Sequence, residues 1–193
     1  MNIEFLYVAI YSYVLGSIPF GLLLTKIFLK KDIREIGSGN IGATNALRTG
    51  KKSLAAMTLL LDGLKGYTSV LITLKIVPEY IYLSALICLL GHIFPVWLNF
   101  KGGKGIAVYL GVLFIFSIHL GFIFIISWLL LLYLSKYSSL SSLISTLIIF
   151  LYSIALQNLN MSLFFFIILT IVVYTHRENI SRIKDKTEKK TNF

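Results

Sequence analysis

The strongest constraint on this chain is a set of apolar runs long enough to cross a bilayer, separated by short loops in which glycine mixes with lysine and arginine. A spanning helix needs about 20 apolar residues. The stretches 3 to 24, 54 to 76 and 80 to 98 meet that length, and longer apolar regions follow at 105 to 134 and 139 to 175. The last is interrupted by the polar run Gln157, Asn158, Leu159, Asn160. With 57% hydrophobic and 13% charged residues, and a mean hydropathy of +0.85, the chain is too apolar for an ordinary soluble domain. The expected fold class is all-α, a polytopic integral membrane helix bundle. A chain of 193 residues with three scattered prolines is expected to form one domain, 1–193, with a basic cytoplasmic tail at 177–193.

Topology follows from where the cations sit rather than from their sum. A net charge of +10 would suit a nucleic-acid partner in a soluble protein, but here lysine and arginine cluster at the ends of apolar runs. The loop after the first run carries Lys26, Lys30, Lys31, Arg34, Arg48, Lys51 and Lys52, which marks it as cytoplasmic. No nucleic acid is therefore expected. Met1, Asn2, Ile3, Glu4 and Phe5 lack the positive start of a cleavable signal, so the first run is expected to remain as a membrane helix. Cys88 is the only cysteine, which excludes an internal disulfide and any CxxC motif.

Counting forward puts the lysines of 99 to 104 inside, and the tail with Arg177, Arg182, Lys184, Lys186, Lys189 and Lys190 inside as well. Either both long regions cross twice, giving seven transmembrane helices, or each crosses once, giving five. Seven is preferred, because Gln157 to Asn160 would be costly at mid-membrane in one long helix. The 105 to 134 region then breaks near His119 to Gly121, the N-terminus lies outside and the C-terminus is cytoplasmic.

Four constellations carry chemical potential. The first is Gly37, Ser38, Gly39, Asn40, Ile41, Gly42, Ala43, Thr44, Asn45, Ala46, Leu47, Arg48. Its GxGxxG match lacks the preceding strand that a dinucleotide site requires, so that reading fails. What remains is a loop in which glycine amides can converge on an anion, with Ser38, Asn40, Asn45 and Arg48 as further donors. A plain polar turn is the alternative. The second is Asn99, Phe100, Lys101, Gly102, Gly103, Lys104, Gly105, where glycines alternate with lysines just before an apolar helix whose N-terminus favours negative charge. No GK[ST] closes it, so it is not a Walker A loop. The alternative is that Lys101 and Lys104 only mark the inside face.

The third is Asp62 with Lys65 within an apolar span, three apart on one helical face. Charges there are costly, which favours either an ion pair or a role at a site. The fourth is His176, Arg177, Glu178, Asn179 at the end of the last span, on the same expected side as both glycine loops and as Ser138 and Ser139. His92 and His119 lack such surroundings, although His92 is near the second loop in sequence. Two glycine-rich cationic loops at the edge of a membrane bundle suit a substrate with a phosphate head and an apolar tail.

Five ordered strings then carry a specific resemblance: GSIPFG at 16 to 21, GSGNIGATNALR at 37 to 48, LDGLKG at 61 to 66, GHIFPVWLNFKGGKGIA at 91 to 107 and HREN at 176 to 179. Along nearly its whole length the chain resembles the acyl-phosphate:glycerol-3-phosphate acyltransferases, the PlsY family. The resemblance implies transfer of a fatty acyl group from acyl phosphate to the 1-hydroxyl of glycerol 3-phosphate, giving lysophosphatidic acid and phosphate. That is the first acylation of bacterial phospholipid synthesis, at the cytoplasmic side of the bacterial inner membrane, with no metal or organic cofactor. No HxxxxD motif follows any of the three histidines, which disfavours the class that uses acyl-CoA or acyl carrier protein.

The resemblance also implies Ser38, Arg48, Lys104, His176 and Asn179 as the catalytic set. Gly37, Gly39, Asn40, Asn45, Lys65, Lys101, Gly102, Gly103 and Ser139 are implied as substrate- and phosphate-binding residues. Arg48 and Lys104 would hold phosphate charge, and glycine amides with Ser38 or Asn179 would stabilise the oxyanion at the acyl carbon. His176 is the candidate base, and a substrate phosphate held nearby is the other. The competing classes are a phosphate-compound transporter, for which no internal repeat argues, and a non-catalytic scaffold, for which alanine changes in the glycine loops would leave function intact.

Overall fold

The computed structural model describes residues 3–191, and every regular element among them is helical. The chain divides into two compact units that adjoin in sequence at Phe116 and Ser117. The last two residues of the expected basic tail lie outside the described range.

The first unit contains α1 (Ile3–Gly16), α2 (Phe20–Leu29), α3 (Ala43–Leu47), α4 (Lys52–Ile76), α5 (Ile81–Ile93) and α6 (Ile106–Phe116). The sequence reading expected one helix over 3 to 24, whereas the structure breaks it between Gly16 and Phe20. Proline is the cause: Pro19 has no N–H to donate, and its ring disfavours helical geometry at Ile18. A break in an apolar environment leaves carbonyls that need donors. The Trp97 indole donates to the Ser17 carbonyl at 2.8 Å, and the Lys65 ammonium donates to the Ile18 carbonyl at 2.7 Å.

Helix α4 packs against α1, α3, α5 and α6. Lipid supplies no hydrophobic drive between helices, so close approach through small residues and interhelical hydrogen bonds must hold them. Side chains are missing where that approach is closest. A methyl on Gly111 of α6 would enter the Gly63 backbone of α4, and one on Gly66 of α4 would enter the Val108 backbone of α6. Gly16 of α1 lies in the same way on the Cys88 backbone, and Gly91 of α5 on the Tyr13 backbone. The Ser84 hydroxyl of α5 sits 2.9 Å from both Ser12 of α1 and Ser69 of α4, all buried. The Tyr11 and Thr73 hydroxyls join α1 to α4 by another hydrogen bond.

The second unit contains α7 (Ile118–Ser135), α8 (Ser138–Ala155), α9 (Leu159–Thr175) and α10 (Arg177–Lys184). The expected interruption near His119 to Gly121 falls earlier, at Ser117, whose hydroxyl caps α7 by accepting from the His119 amide at 3.2 Å. The interruption expected at Gln157 to Asn160 is present. Gln157 adopts a left-handed φ of +55°, and the Asn158 side chain caps α9 by accepting from the Met161 amide at 3.0 Å. Lys136, with φ +64°, ends α7, and the Trp128 indole of α7 donates to Ser142 of α8 at 3.0 Å. Between α9 and α10 the axis bends by 59°.

Among the described residues, four helical stretches are long and apolar enough to cross a membrane, namely Ile3–Leu29 across its break, Pro78–Leu98, Ile118–Ser135 and Ser138–Ala155; α9 with α10 makes a fifth if the bent pair is one span. Helix α4, 25 residues, reaches about 37 Å at 1.5 Å per residue, but Asp62 and Lys65 reduce its hydropathy. Helix α6, 11 residues, reaches only about 16 Å and is too short to span by itself.

Because α6 approaches α4 backbone to backbone, Gly111→Leu is expected to cost at least the 1–3 kcal/mol, roughly, of an overpacked core. Ser84→Ala removes interhelical hydrogen bonds worth about 0.6 kcal/mol each. In detergent, the apparent melting temperature should therefore fall further for Gly111→Leu than for Ser84→Ala. Equal falls would show that the glycine contact is not tight.

Candidate active site

The Gly37–Arg48 loop is organised by one side chain. Asn45, 2% exposed, accepts from the Ser38 amide at 2.9 Å through Oδ1. Its Nδ2 donates to the carbonyls of Ile36 and Asn40, both at 2.8 Å, and of Ile33 at 3.0 Å. Asn40 accepts from the Gly42 amide at 2.9 Å and fixes the turn into α3. Gly37 and Gly39 take φ values of +60° and +72°, which side chains resist. A methyl on Gly37 would also strike Asn45 and the Arg48 side chain. Asn45 thus holds the loop from inside, while Ser38 and Arg48 are exposed.

The second loop is built differently from the amide nest that its glycines implied. The Gly102 amide donates to the Ile93 carbonyl at 2.9 Å and the Gly103 amide to the His92 carbonyl at 3.0 Å, so both cap the end of α5. Gly102 has no room for a side chain beside the His92 carbonyl and Pro95, nor has Gly103 beside the His92 ring. Gly105, with φ +84°, turns the chain into α6. Lys101 is exposed and Lys104 half-buried at this turn.

Asp62 and Lys65 do pair, at 2.8 Å, and both are buried. Lys65 also reaches the Ile18 carbonyl at 2.7 Å and Nδ1 of the buried His92 at 2.8 Å. The ammonium is thus surrounded at 2.7–2.8 Å by a carboxylate, a carbonyl and an imidazole nitrogen. Lys65, expected among the phosphate-binding residues, therefore sits among protein groups in the interior of the first unit.

In the second unit the HREN string straddles the bend between α9 and α10. His176, 3% exposed, donates from Nδ1 to the Val172 carbonyl at 2.9 Å. Asn179 donates to Glu188 Oε1 at 2.6 Å and Ser139 donates to the same oxygen at 2.8 Å. The Arg182 Nε donates to the other carboxylate oxygen at 2.7 Å. Glu188 was missed in the sequence reading. Its only signal there is an acid placed among the lysines of 184 to 190. The segment after α10 is correspondingly folded back, the Thr191 amide donating to the Lys136 carbonyl at 2.8 Å. Burial pushes the Glu188 carboxyl up, but hydrogen bonds from Arg182, Asn179 and Ser139 outweigh it and hold the group below its ordinary value.

The first unit thus brings together Gly37, Ser38, Gly39, Asn40, Asn45 and Arg48 in one loop, and Lys101 to Lys104 in another. The second joins Ser139 and Asn179 through Glu188, with His176 one helical turn before Asn179. Helices with apolar outer faces and polar, glycine-bearing loops at their ends define a polytopic integral membrane protein. A sequence model of the family described as glycerol-3-phosphate acyltransferase matches residues 6–186. The chain is 58% identical over 188 residues to the glycerol-3-phosphate acyltransferase of Pelagibacter ubique, covering 97% of this chain and 98% of that one. It is 50% identical over 181 residues to that of Mesorhizobium japonicum, covering 94% and 93%.

Among solved structures it is similar to PlsY (YgiH), an integral membrane glycerol 3-phosphate acyltransferase. The glycerol 3-phosphate form matches with a TM-score of 0.92 at 35% identity, covering 97% of this chain and 96% of that one. The lysophosphatidic acid form matches with a TM-score of 0.89 at 35% identity, covering 97% and 95%. The chain belongs to the glycerol-3-phosphate acyltransferase family, as a multi-pass membrane acyltransferase.

A pH dependence follows from Glu188. Its folded pKa lies below the unfolded value, so its charge contributes stability that is present above the unfolded pKa, about 4.3, and lost as pH falls through the folded one. Glu188→Gln should therefore melt below the native protein at pH 7, with the gap shrinking below about pH 4. A gap that stays constant across that range would show that the charge contributes nothing.

Proposed function

We propose that the protein transfers a fatty acyl group from acyl phosphate to the sn-1 hydroxyl of glycerol 3-phosphate, giving lysophosphatidic acid and inorganic phosphate. This would be the first acylation of bacterial phospholipid synthesis, carried out by one domain at the cytoplasmic side of the inner membrane without a cofactor. The observation that carries the reading is the Gly37–Arg48 loop. Two left-handed glycines and the Asn45 clamp hold Ser38 and Arg48 exposed on one short segment, in a chain 35% identical to a PlsY described in glycerol 3-phosphate and lysophosphatidic acid forms. The absence of HxxxxD supports acyl phosphate as donor. Seven passes with the N-terminus outside accord with the lysine and arginine clusters.

In this reaction the acceptor oxygen attacks the acyl carbonyl carbon, the bond from that carbon to the phosphate oxygen breaks, and phosphate leaves with the electron pair. Arg48 and Lys104 hold phosphate charge, with Lys101 at the entrance of the same turn. Ser38 or Asn179 donates to the oxyanion as it develops. Asn40, Asn45, Gly37 and Gly39 shape the first loop, Gly102 and Gly103 the second. Ser139 shares the Glu188 anchor with Asn179. The acceptor proton passes either to His176 Nε2 or to a substrate phosphate. Acyl phosphate already carries a good leaving group, so orientation and oxyanion stabilisation matter more than a strong base.

Purified protein given palmitoyl phosphate and glycerol 3-phosphate should form lysophosphatidic acid, and should form none from palmitoyl-CoA. The opposite preference would overturn the donor assignment. Arg48→Ala and Lys104→Ala should each lower turnover at least about ten-fold, the equivalent of 1.4 kcal/mol, while Lys189→Ala changes little.

His176→Gln separates the two roles of that residue. If His176 is the base, rate falls while glycerol 3-phosphate binding is retained. If it positions phosphate, binding itself weakens. Native turnover together with native affinity would remove His176 from the site.

A further inference from the structure

The interior of the first unit holds a buried polar cluster that the proposed reaction does not use directly, and it is joined to the loop bearing Lys104. Asp62, Lys65 and His92 are 1%, 4% and 4% exposed. Lys65 forms an ion pair with Asp62 at 2.8 Å and donates to the Ile18 carbonyl at 2.7 Å, so its position is set by α4 and by the break between α1 and α2. Its Nζ also lies 2.8 Å from His92 Nδ1. An ammonium can only donate, so Nδ1 accepts and the ring proton lies on Nε2. The imidazole is thereby locked in one orientation. Gly103 packs against that ring with no space for a methyl, and its amide donates to the carbonyl of the same residue, His92, at 3.0 Å. The next residue is Lys104. After it, Gly105 turns with φ +84° against the Leu89 side chain. A continuous set of contacts thus runs from the helix break through Lys65 and His92 to the residue before Lys104.

We infer that His92, oriented by Lys65, is a positioning residue for Lys104: its ring and carbonyl together set where the lysine stands at the turn into α6. The inference rests on the reading of Lys104 as a phosphate-holding group. In that role a misplaced ammonium loses most of its value, because a displacement of about 1 Å can cost on the order of a hundred-fold in rate. Besides meeting the Ile18 carbonyl at the helix break, the buried Lys65 holds the His92 ring. An ion pair there contributes little net stability, but it supplies a fixed donor to a histidine that must not rotate.

The test is a double-mutant cycle on the full chain in detergent, with palmitoyl phosphate and glycerol 3-phosphate as substrates. His92→Phe keeps a ring against Gly103 but gives Lys65 no acceptor. Gly103→Ala keeps every polar group but drives a methyl into the imidazole. Each is made in the native and the Lys104→Ala background, and melting temperatures are recorded alongside kcat/KM. Both should lower kcat/KM at least ten-fold in the native background and less than three-fold once Lys104 is gone, and His92→Asn, which returns an acceptor oxygen near Nδ1, should recover activity relative to His92→Phe.

A structural role alone would make the losses multiply in the two backgrounds and track the melting temperature, and that result would overturn the inference. Should His92→Phe fail to fold, Gly103→Ala decides by the same comparison. If Lys104→Ala is itself native-like, the reading of the site falls and takes this inference with it. If Lys104→Ala is impaired and the losses multiply, the inference alone falls.

Discussion

A hydrocarbon environment offers no solvent partner, so every interruption of a helix and every charge placed inside must be answered by a protein group. The first unit is organised around one such answer. Pro19 breaks the first apolar stretch, and the two carbonyls beside the break are met by a lysine from α4 and a tryptophan from the turn after α5. Lys65 is neutralised by Asp62 on its own helix and completed by His92 on α5. Remove the break and Lys65 loses an acceptor; remove Lys65 and the break is left unsatisfied. The two features are intelligible only together.

That dependence explains what could be read from sequence and what could not. Apolar run length marks the helices, and the polar run at Gln157 to Asn160 marks the turn before α9, because unpaired polar groups are excluded from an apolar helix interior. Ser117 was overlooked because a single serine in an apolar region gives no periodic signal, yet as a helix cap it decides where α7 starts. Pro19 was legible as a residue but not as a break, since its tolerance depends on donors from positions 65 and 97, remote in sequence. Lys65 raised the same difficulty. Spacing shows that it can pair with Asp62, but not that its remaining protons go to Ile18 and His92.

The candidate site divides along similar lines. In sequence, clustered glycines suggest amides open to an anion. In the first loop the left-handed glycines do shape an exposed segment, although the amide of Ser38 is given to Asn45. In the second, the Gly102 and Gly103 amides are given to α5, and glycine is required there because a side chain would meet His92 and Pro95. Glycine can be needed for its conformation, for its amide or for its lack of a side chain, and a sequence does not distinguish these. Glu188 was invisible for another reason. Its partners Ser139, Asn179 and Arg182 come from α8 and α10, and only the fold-back after α10 brings the carboxylate to them.

Polar side chains in both units therefore fall into two layers with different physical demands. Asn45, Lys65 and His92, which hold backbone in place, sit inside, and Glu188, half-buried, gathers the Ser139, Asn179 and Arg182 side chains. Ser38, Arg48 and Lys101 stand on segments those residues hold and are exposed. The cations Arg48 and Lys101 stay where water can reach them, which avoids the cost of burying an unpaired cation. The order of the two glycine loops is supplied from behind, by the Asn45 side chain in the first and by the end of α5 at His92 and Ile93 in the second.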